Sequence, residues 1–102
     1  MKNDIFKNVE FPVISAPMFL VSGVDLLVAC CANGTIGSFP ALNQRTTETF
    51  EEWLVQIEAE FDRLDCQQRT YGVNLIVHKS NPRVAADLEM CIKHEVPLLL
   101  TS

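Results

Sequence analysis

The chain has 102 residues, the size of one modest domain, and its 48% apolar and 21% charged residues are an ordinary globular balance. A formal net charge of −5 argues against a nucleic-acid-binding protein, because phosphate contacts need clustered lysines and arginines. Charged residues near the amino terminus, and glycines and prolines later, interrupt every apolar run, so we expect no secretory signal and no membrane helix. Four cysteines without a signal peptide then indicate a cytoplasmic protein, predicted as a single domain over 1–102.

The first third of the chain predicts a strand, a helix and a second strand. The β-prone run Phe11–Ala16 gives the first strand. Ser22 and Asp25 have the spacing of a capping box, which predicts a helix over Val24–Ala32. The short uncharged segment Thr35–Phe39 is the second predicted strand.

The second predicted helix has the clearest pattern in the chain. Thr49 and Glu52 have capping-box spacing at its start. Its apolar residues recur at the spacing of a single helical stripe, which comprises Phe50, Trp53, Leu54, Ile57 and Phe61. The glutamates on the remaining surface could be read as a metal site, but a solvated face is the commoner use of such a pattern.

The last third predicts a strand, a helix and a final strand. The segment Tyr71–Val77 alternates as a strand does, and Asn81-Pro82 is a typical helix start. The buried stripe of this third helix is predicted to comprise Val84, Ala85, Leu88, Cys91 and Ile92. Val96–Thr101 is apolar enough for a strand buried on both faces. The order β-α-β-α-β-α-β therefore predicts an α/β fold with about four parallel strands and three helices.

Ligands of parallel α/β folds bind at the carboxyl ends of the strands, where Asn74 is the most informative residue. Alternation along its strand places Asn74 on the face opposite Tyr71 and Val73. Its amide could contact a planar ring or a phosphate, or simply tie down a neighbouring loop, and position alone does not separate these roles. His78 is a candidate for contacting an anion, whereas His94 fits a structural place at a helix end.

The cysteines raise a redox or metal hypothesis that their spacing does not favour. Cys30 and Cys31 are adjacent and so lack the C-x-x-C spacing, while Cys66 and Cys91 stand alone. Buried small apolar residues are the favoured interpretation, and no metal site is predicted. The common glycine-rich nucleotide motifs and the hydrolase nucleophile motif are also absent from the sequence.

Several segments in order resemble a known family. They are Phe11–Met18 (FPVISAPM), Ala32–Gly37 (ANGTIG), Ser38–Asn43 (SFPALN), Tyr71–Leu75 (YGVNL) and His78–Asn81 (HKSN). This combination resembles the amino-terminal part of the nitronate monooxygenases, also called 2-nitropropane dioxygenases. The resemblance runs along essentially the whole chain and covers less than half of a typical family member.

The resemblance implies a (β/α)8 TIM barrel, of which this chain would form the amino-terminal half. Such flavoproteins are FMN-dependent oxidoreductases that oxidise alkyl nitronates with O2. By the same resemblance, the backbone of Ala16, Pro17 and Met18 lies along the flavin ring, and Asn74 contacts the FMN. The catalytic histidine and the phosphate-binding loops of the family belong to later segments, so no catalytic residue is predicted here.

Two alternatives stay open at this stage. The chain could be a non-catalytic remnant or assembly module, or it could belong to a flavin-dependent enoyl reductase, whose opening motif and Gly-Val-Asn segment are similar. A half-barrel also has unpaired sheet edges, which predict self-association.

Overall fold

The computed structural model describes residues 4–102. Helices and strands alternate in the order α1 (Val24–Ala32), β1 (Gly37–Pro40), a 3-10 turn (Ala41–Asn43), α2 (Thr47–Arg63), β2 (Tyr71–Leu75), α3 (Val84–Lys93) and β3 (Leu98–Thr101). The strands form one sheet in the order β1-β2-β3, and both pairs are parallel. The predicted α/β class with parallel strands is confirmed, although the strands are shorter than predicted.

The predicted first strand, Phe11–Ala16, is reduced to a single parallel bridge between Ile14 and Ile36. The backbone N–H and C=O of Ile36 make hydrogen bonds of 3.0 and 2.8 Å to this segment. Pro12 and Pro17 bracket the bridge, and neither has an N–H with which to extend a ladder. The segment therefore lies parallel to β1, as predicted, without forming a regular strand.

The helix starts also differ from the predicted capping boxes. At α1, the Ser22 hydroxyl accepts a hydrogen bond from the Met18 N–H at 2.8 Å, so it caps no helical N–H and the predicted box with Asp25 does not form. At α2, the box consists of Thr46 and Thr49, one turn earlier than predicted. The start of α1 was thus predicted correctly, whereas the capping side chains of both helices were not.

The core lies between the helices and one face of the sheet. The predicted stripe of α2 is confirmed, with Phe50, Leu54, Ile57 and Phe61 fully buried. Trp53 is half-buried, and its ring packs edge-on against Phe39 of β1 at 5.3 Å between centroids. From the sheet, the core receives Phe39, Tyr71, Val73 and Leu75.

The helix α1 lies unusually close to β1 at Gly37. A Cβ atom added there would lie 2.7 Å from the carbonyl oxygen of Leu27 and 2.8 Å from its Cα, closer than real Cβ contacts occur. Glycine is therefore required at this position by space and not by its backbone torsion angles.

The predicted buried stripe of α3 is largely wrong. Its buried residues are Asp87 and Cys91, whereas Ile92 is 68% exposed and Leu88 is 36% exposed. The main contacts of α3 are with α2 and β2, and they leave its apolar Leu88 and Ile92 exposed. Among the helices of this range, none is both long and apolar enough to span a bilayer.

Candidate functional site

The two faces of the sheet have different surroundings. On β2, Tyr71, Val73 and Leu75 face the helices and are buried in the core. Gly72 and Asn74 alternate with them and lie on the opposite face, as the strand pattern predicts. No helix of the described residues covers Asn74, which is half-buried.

Asn74 lies in the last layer of side chains before the carboxyl ends of the strands. Its register partners are Pro40 on β1 and Leu100 on β3. The Asn74 Nδ2 donates to the Leu100 carbonyl at 2.8 Å and to the Ser102 hydroxyl at 3.2 Å. Its Oδ1 accepts no hydrogen bond from residues 4–102. One end of the amide thus ties β2 to β3, and the other end keeps an available acceptor.

Asn43 holds the segment that contains Ala16, Pro17 and Met18. Its Nδ2 donates to the Met18 carbonyl at 3.1 Å and to the Ser22 carbonyl at 2.8 Å, and its Oδ1 accepts from the Leu20 N–H at 3.0 Å. Sequence reasoning quoted Asn43 as part of a motif but assigned it no role. A loop asparagine gives no local signal that its partners lie more than 20 residues earlier.

The predicted site residues therefore gather at the same end of the sheet. Asn43 follows Pro40 by three residues, and Pro40 is the register partner of Asn74. The tether from Asn43 to Met18 brings the 16–18 segment to this end as well. The hydrogen bonds of Asn74 go to β3, and none joins it to Ala16, Pro17 or Met18 in the part of the chain that the structure describes.

An open cleft of about 530 Å³ lies among the loops at the carboxyl ends of the strands. It receives residues from the 16–22 segment, from the loop after β1, and from the loop between β2 and α3. The lining residues include the apolar Phe19, Leu42 and Ile76 and the polar Arg45, Ser80 and Arg83. Its volume falls within the range typical of small-molecule sites.

A buried ionic network supports one wall of this cleft. The Arg83 guanidinium donates hydrogen bonds to the carbonyls of Ala41 and Gln44 and, from Nη2, to Asp87 Oδ1 at 3.1 Å. Its Nη2 also lies 3.0 Å from Asp87 Oδ2 as an ion pair. The Thr47 hydroxyl donates to the same carboxylate at 2.8 Å. This network fixes the loop after β1 to the start of α3, and the sequence analysis missed it.

The two histidines take different roles. His78 is exposed, and its Nδ1 bonds to the Ser80 hydroxyl at 2.7 Å and accepts from the Ser80 N–H at 3.0 Å. His94 lies at the end of α3, where its Nε2 is 2.7 Å from the Glu51 carboxylate. Hydrogen bonds to the Glu51 carboxylate lower its pKa, with the larger effect from Lys93 and the smaller from His94. The structural role predicted for His94 agrees with this contact.

The thiols are mostly enclosed by apolar surroundings. Cys31, Cys66 and Cys91 are buried, Cys30 is half-buried, and all four are free. Burial raises the pKa of Cys31 to about 11 and that of Cys91 to about 12, which makes both poor nucleophiles. Within residues 4–102, no cluster of histidine, cysteine and acidic side chains has the geometry to hold a metal ion.

Comparison with known proteins identifies the fold but not the family. No family model and no curated protein matches the sequence. Among solved structures, the chain is similar to a mutant of FabK from Thermotoga maritima, with a TM-score of 0.77 and 17% identity. The similarity covers 98% of this chain and 31% of the FabK chain, so the chain spans about a third of that protein's length. The chain therefore has the α/β fold of part of a TIM barrel.

Proposed function

We propose that this chain is the amino-terminal part of an FMN-dependent oxidoreductase of the nitronate monooxygenase kind. The observation that carries the proposal is the available Oδ1 acceptor of Asn74 on the open face of the sheet, at the same end as the 16–18 segment. The sequence resemblance to nitronate monooxygenases supports the activity, and the TIM-barrel fold supports the place of the site.

The residues present fit one edge of a flavin ring. An isoalloxazine presents both hydrogen-bond donors and acceptors along its edge, and the Asn74 amide carries both kinds of group. Pro17 has no N–H, so the backbone of Ala16–Met18 can lie flat along a ring without leaving a donor unpaired there. Bound FMN would supply the redox chemistry, with the nitronate and O2 as substrates.

This chain's own residues would bind and orient rather than transfer protons. Asn74 would fix the ring edge, and the Asn43 tether would hold Met18 and its neighbours in place. We assign no catalytic residue to this chain, because the family's catalytic histidine matches neither His78 nor His94. Activity would therefore require residues beyond those described here.

The proposal is tested by measuring FMN affinity of the full chain through quenching of flavin fluorescence. Asn74→Ala should weaken binding about tenfold, the usual result of losing one hydrogen bond to a buried polar group. Asn33→Ala is the matched control, since Asn33 bonds to the Ala29 carbonyl at the other end of the molecule. FMN binding that is undetectable in the parent chain, or equal in the Asn74 and Asn33 variants, would contradict the proposal.

A second candidate within the same class is a flavin-dependent enoyl reductase. Its opening motif and Gly-Val-Asn segment are similar to those of this chain, and the structural similarity to FabK at 17% identity shows the fold without separating the two substrates. The two activities separate in a flavin-loaded assembly that includes the residues required for activity. Oxygen consumption that depends on an alkyl nitronate would identify the monooxygenase, whereas oxidation of a nicotinamide that depends on an enoyl thioester would identify the reductase.

We further propose that the chain associates with a second copy through its open edge. β3 pairs only with β2 among the described strands, and Leu99 on β3 and Leu88 and Ile92 on α3 are exposed. Parallel edges without cover tend to pair with another chain. Association without any flavin binding would favour the assembly-module alternative.

The buried, unpaired cysteines support a cytoplasmic location for this protein.

A further inference from the structure

The cations of this acidic chain are unevenly neutralised. Arginine and lysine side chains that form ion pairs with carboxylates, at N–O distances of 2.6–3.0 Å, are those of Arg63, Arg69, Arg83 and Lys93. Arg45 differs from them, because it is exposed and makes neither a hydrogen bond nor an ion pair with any residue in the range 4–102. An unpaired guanidinium on a chain with a net charge of −5 is available for an external anion.

Arg45 lines the cleft at the carboxyl ends of the strands, and no carboxylate lines that cleft. The other guanidinium there belongs to Arg83, whose hydrogen bonds already go to Asp87 and to two backbone carbonyls. The Arg83 Nε has no hydrogen-bond partner among the described residues but is buried, so Arg45 is the guanidinium accessible to a ligand. Asp25 and Glu48 are the acidic residues in the first turns of α1 and α2, and neither lines the cleft.

The same cleft carries apolar surface beside its charge. Phe19 is 69% exposed, Ile76 is 36% exposed, and Leu42 is half-buried, and all three line the cleft. A ligand with a charged head and a short apolar chain would satisfy both parts of this lining, since burial of apolar area and a charge-assisted hydrogen bond act together. A bare inorganic anion would use only the arginine.

We propose that this cleft binds a small organic anion, with its oxyanion head on the Arg45 guanidinium and its apolar chain against Phe19, Leu42 and Ile76. The site lies on the face where FMN is proposed to bind, so its role as a substrate site rests on the proposed function. Binding of the anion itself requires no flavin. The two proposals can therefore fail separately.

The test is a titration of the flavin-free, isotopically labelled chain by NMR, with hexanoate as the probe and hexanamide as its neutral analogue. Hexanoate should shift the backbone amides of Gln44, Arg45, Ser80 and Asn81, and hexanamide should bind about tenfold more weakly. Inorganic phosphate at the same concentration should cause much smaller shifts at these amides. Equal binding of hexanoate and hexanamide, or of hexanoate and phosphate, would overturn the proposal.

Two matched variants separate a built site from diffuse charge. Arg45→Gln should weaken hexanoate binding about tenfold, whereas Lys79→Gln should change it less than twofold. Lys79 is an exposed cation on the neighbouring loop that does not line the cleft, so the two substitutions remove the same charge from the same end of the molecule. Equal losses in both variants would overturn the assignment to Arg45. Because Arg45 has no partner among the described residues, its replacement should leave the folded spectrum intact.

Discussion

The helices α2 and α3 both carry apolar stripes, but only the stripe of α2 is buried. α2 lies across the sheet and contacts α1 on one side and α3 on the other. α3 is the last helix of the layer and contacts α2 and β2, with Asp87 and Cys91 buried and Leu88 and Ile92 exposed. An apolar stripe therefore indicates which face of a helix can pack against another element. That face is buried only where such an element is present.

The largest expected effect concerns the buried stripe of α2. Phe50 is fully buried, and its ring packs 5.9 Å from that of Phe39, so Phe50→Ala should lower the free energy of unfolding by about 3–5 kcal/mol. Val55 on the exposed side of the same helix is 53% accessible. Val55→Ala should therefore change the free energy of unfolding by less than about 0.5 kcal/mol. Urea denaturation followed by circular dichroism measures both. Similar losses of unfolding free energy in the two variants would mean that α2 does not bury one face and expose the other.

The inward face of α3 should depend on charge rather than on apolar packing. Asp87→Asn removes the carboxylate that pairs with Arg83 and should lower the free energy of unfolding by about 2–3 kcal/mol, because the guanidinium stays mostly enclosed. Glu89→Gln on the exposed side of α3 is the control and should be close to neutral. Coinciding denaturation curves for the two variants would show that this ionic network does not stabilise the folded chain.

The outward face of α3 should affect association and leave folding almost unchanged. Ile92→Glu places a charge on the proposed contact surface, so it should shift the chain toward monomer in sedimentation equilibrium, with a stability change below about 0.5 kcal/mol. Val55→Glu makes the same change on an exposed apolar residue of α2 and should leave association as it is in the parent. A parent chain that stays monomeric at high concentration would contradict the contact.

The smallest effect concerns the link between the two helices at Glu51. Hydrogen bonds from Lys93 and His94 lower its pKa in the folded chain, so the unfolded chain binds more protons at Glu51 below its ordinary pKa near 4.5. Its stabilising contribution is complete above that value and disappears as the pH falls through the lowered pKa.

Glu51→Gln should therefore reduce the loss of melting temperature between pH 6 and pH 3. The exposed neighbour Glu52 forms no ion pair with residues 4–102, and Glu52→Gln serves as the control. An equal pH dependence in the parent and the Glu51 variant would show that the two contacts do not stabilise the folded chain.

The alternation of helices and strands was predictable because its signals are local. The period of α2 and the alternation along Tyr71–Leu75 depend on neighbouring residues, and they placed the stripe and the face of Asn74 correctly. The first strand was overestimated because β-propensity does not register the two prolines that limit its ladder. The α3 stripe was mispredicted because its exposure depends on what lies beyond the edge of the sheet.

The candidate site was predictable from the sequence only where a residue could be placed from its own strand, without contacts to distant segments. Asn74 could be placed from its strand alone. The network of Arg83, Asp87 and Thr47 joins residues 40 positions apart, and the cleft around Arg45 is assembled from three separate loops. Such contacts are created by the fold and leave no pattern in one sequence.

The close approach at Gly37 has a mechanical consequence for this molecule. With no room for even a methyl group between β1 and Leu27, α1 cannot move closer to the sheet at this position without a backbone collision. The residues that line the cleft lie instead on the loops at the carboxyl ends of the strands. Gly37→Ala would accordingly disturb the framework, whereas substitutions in those loops would alter what the framework holds.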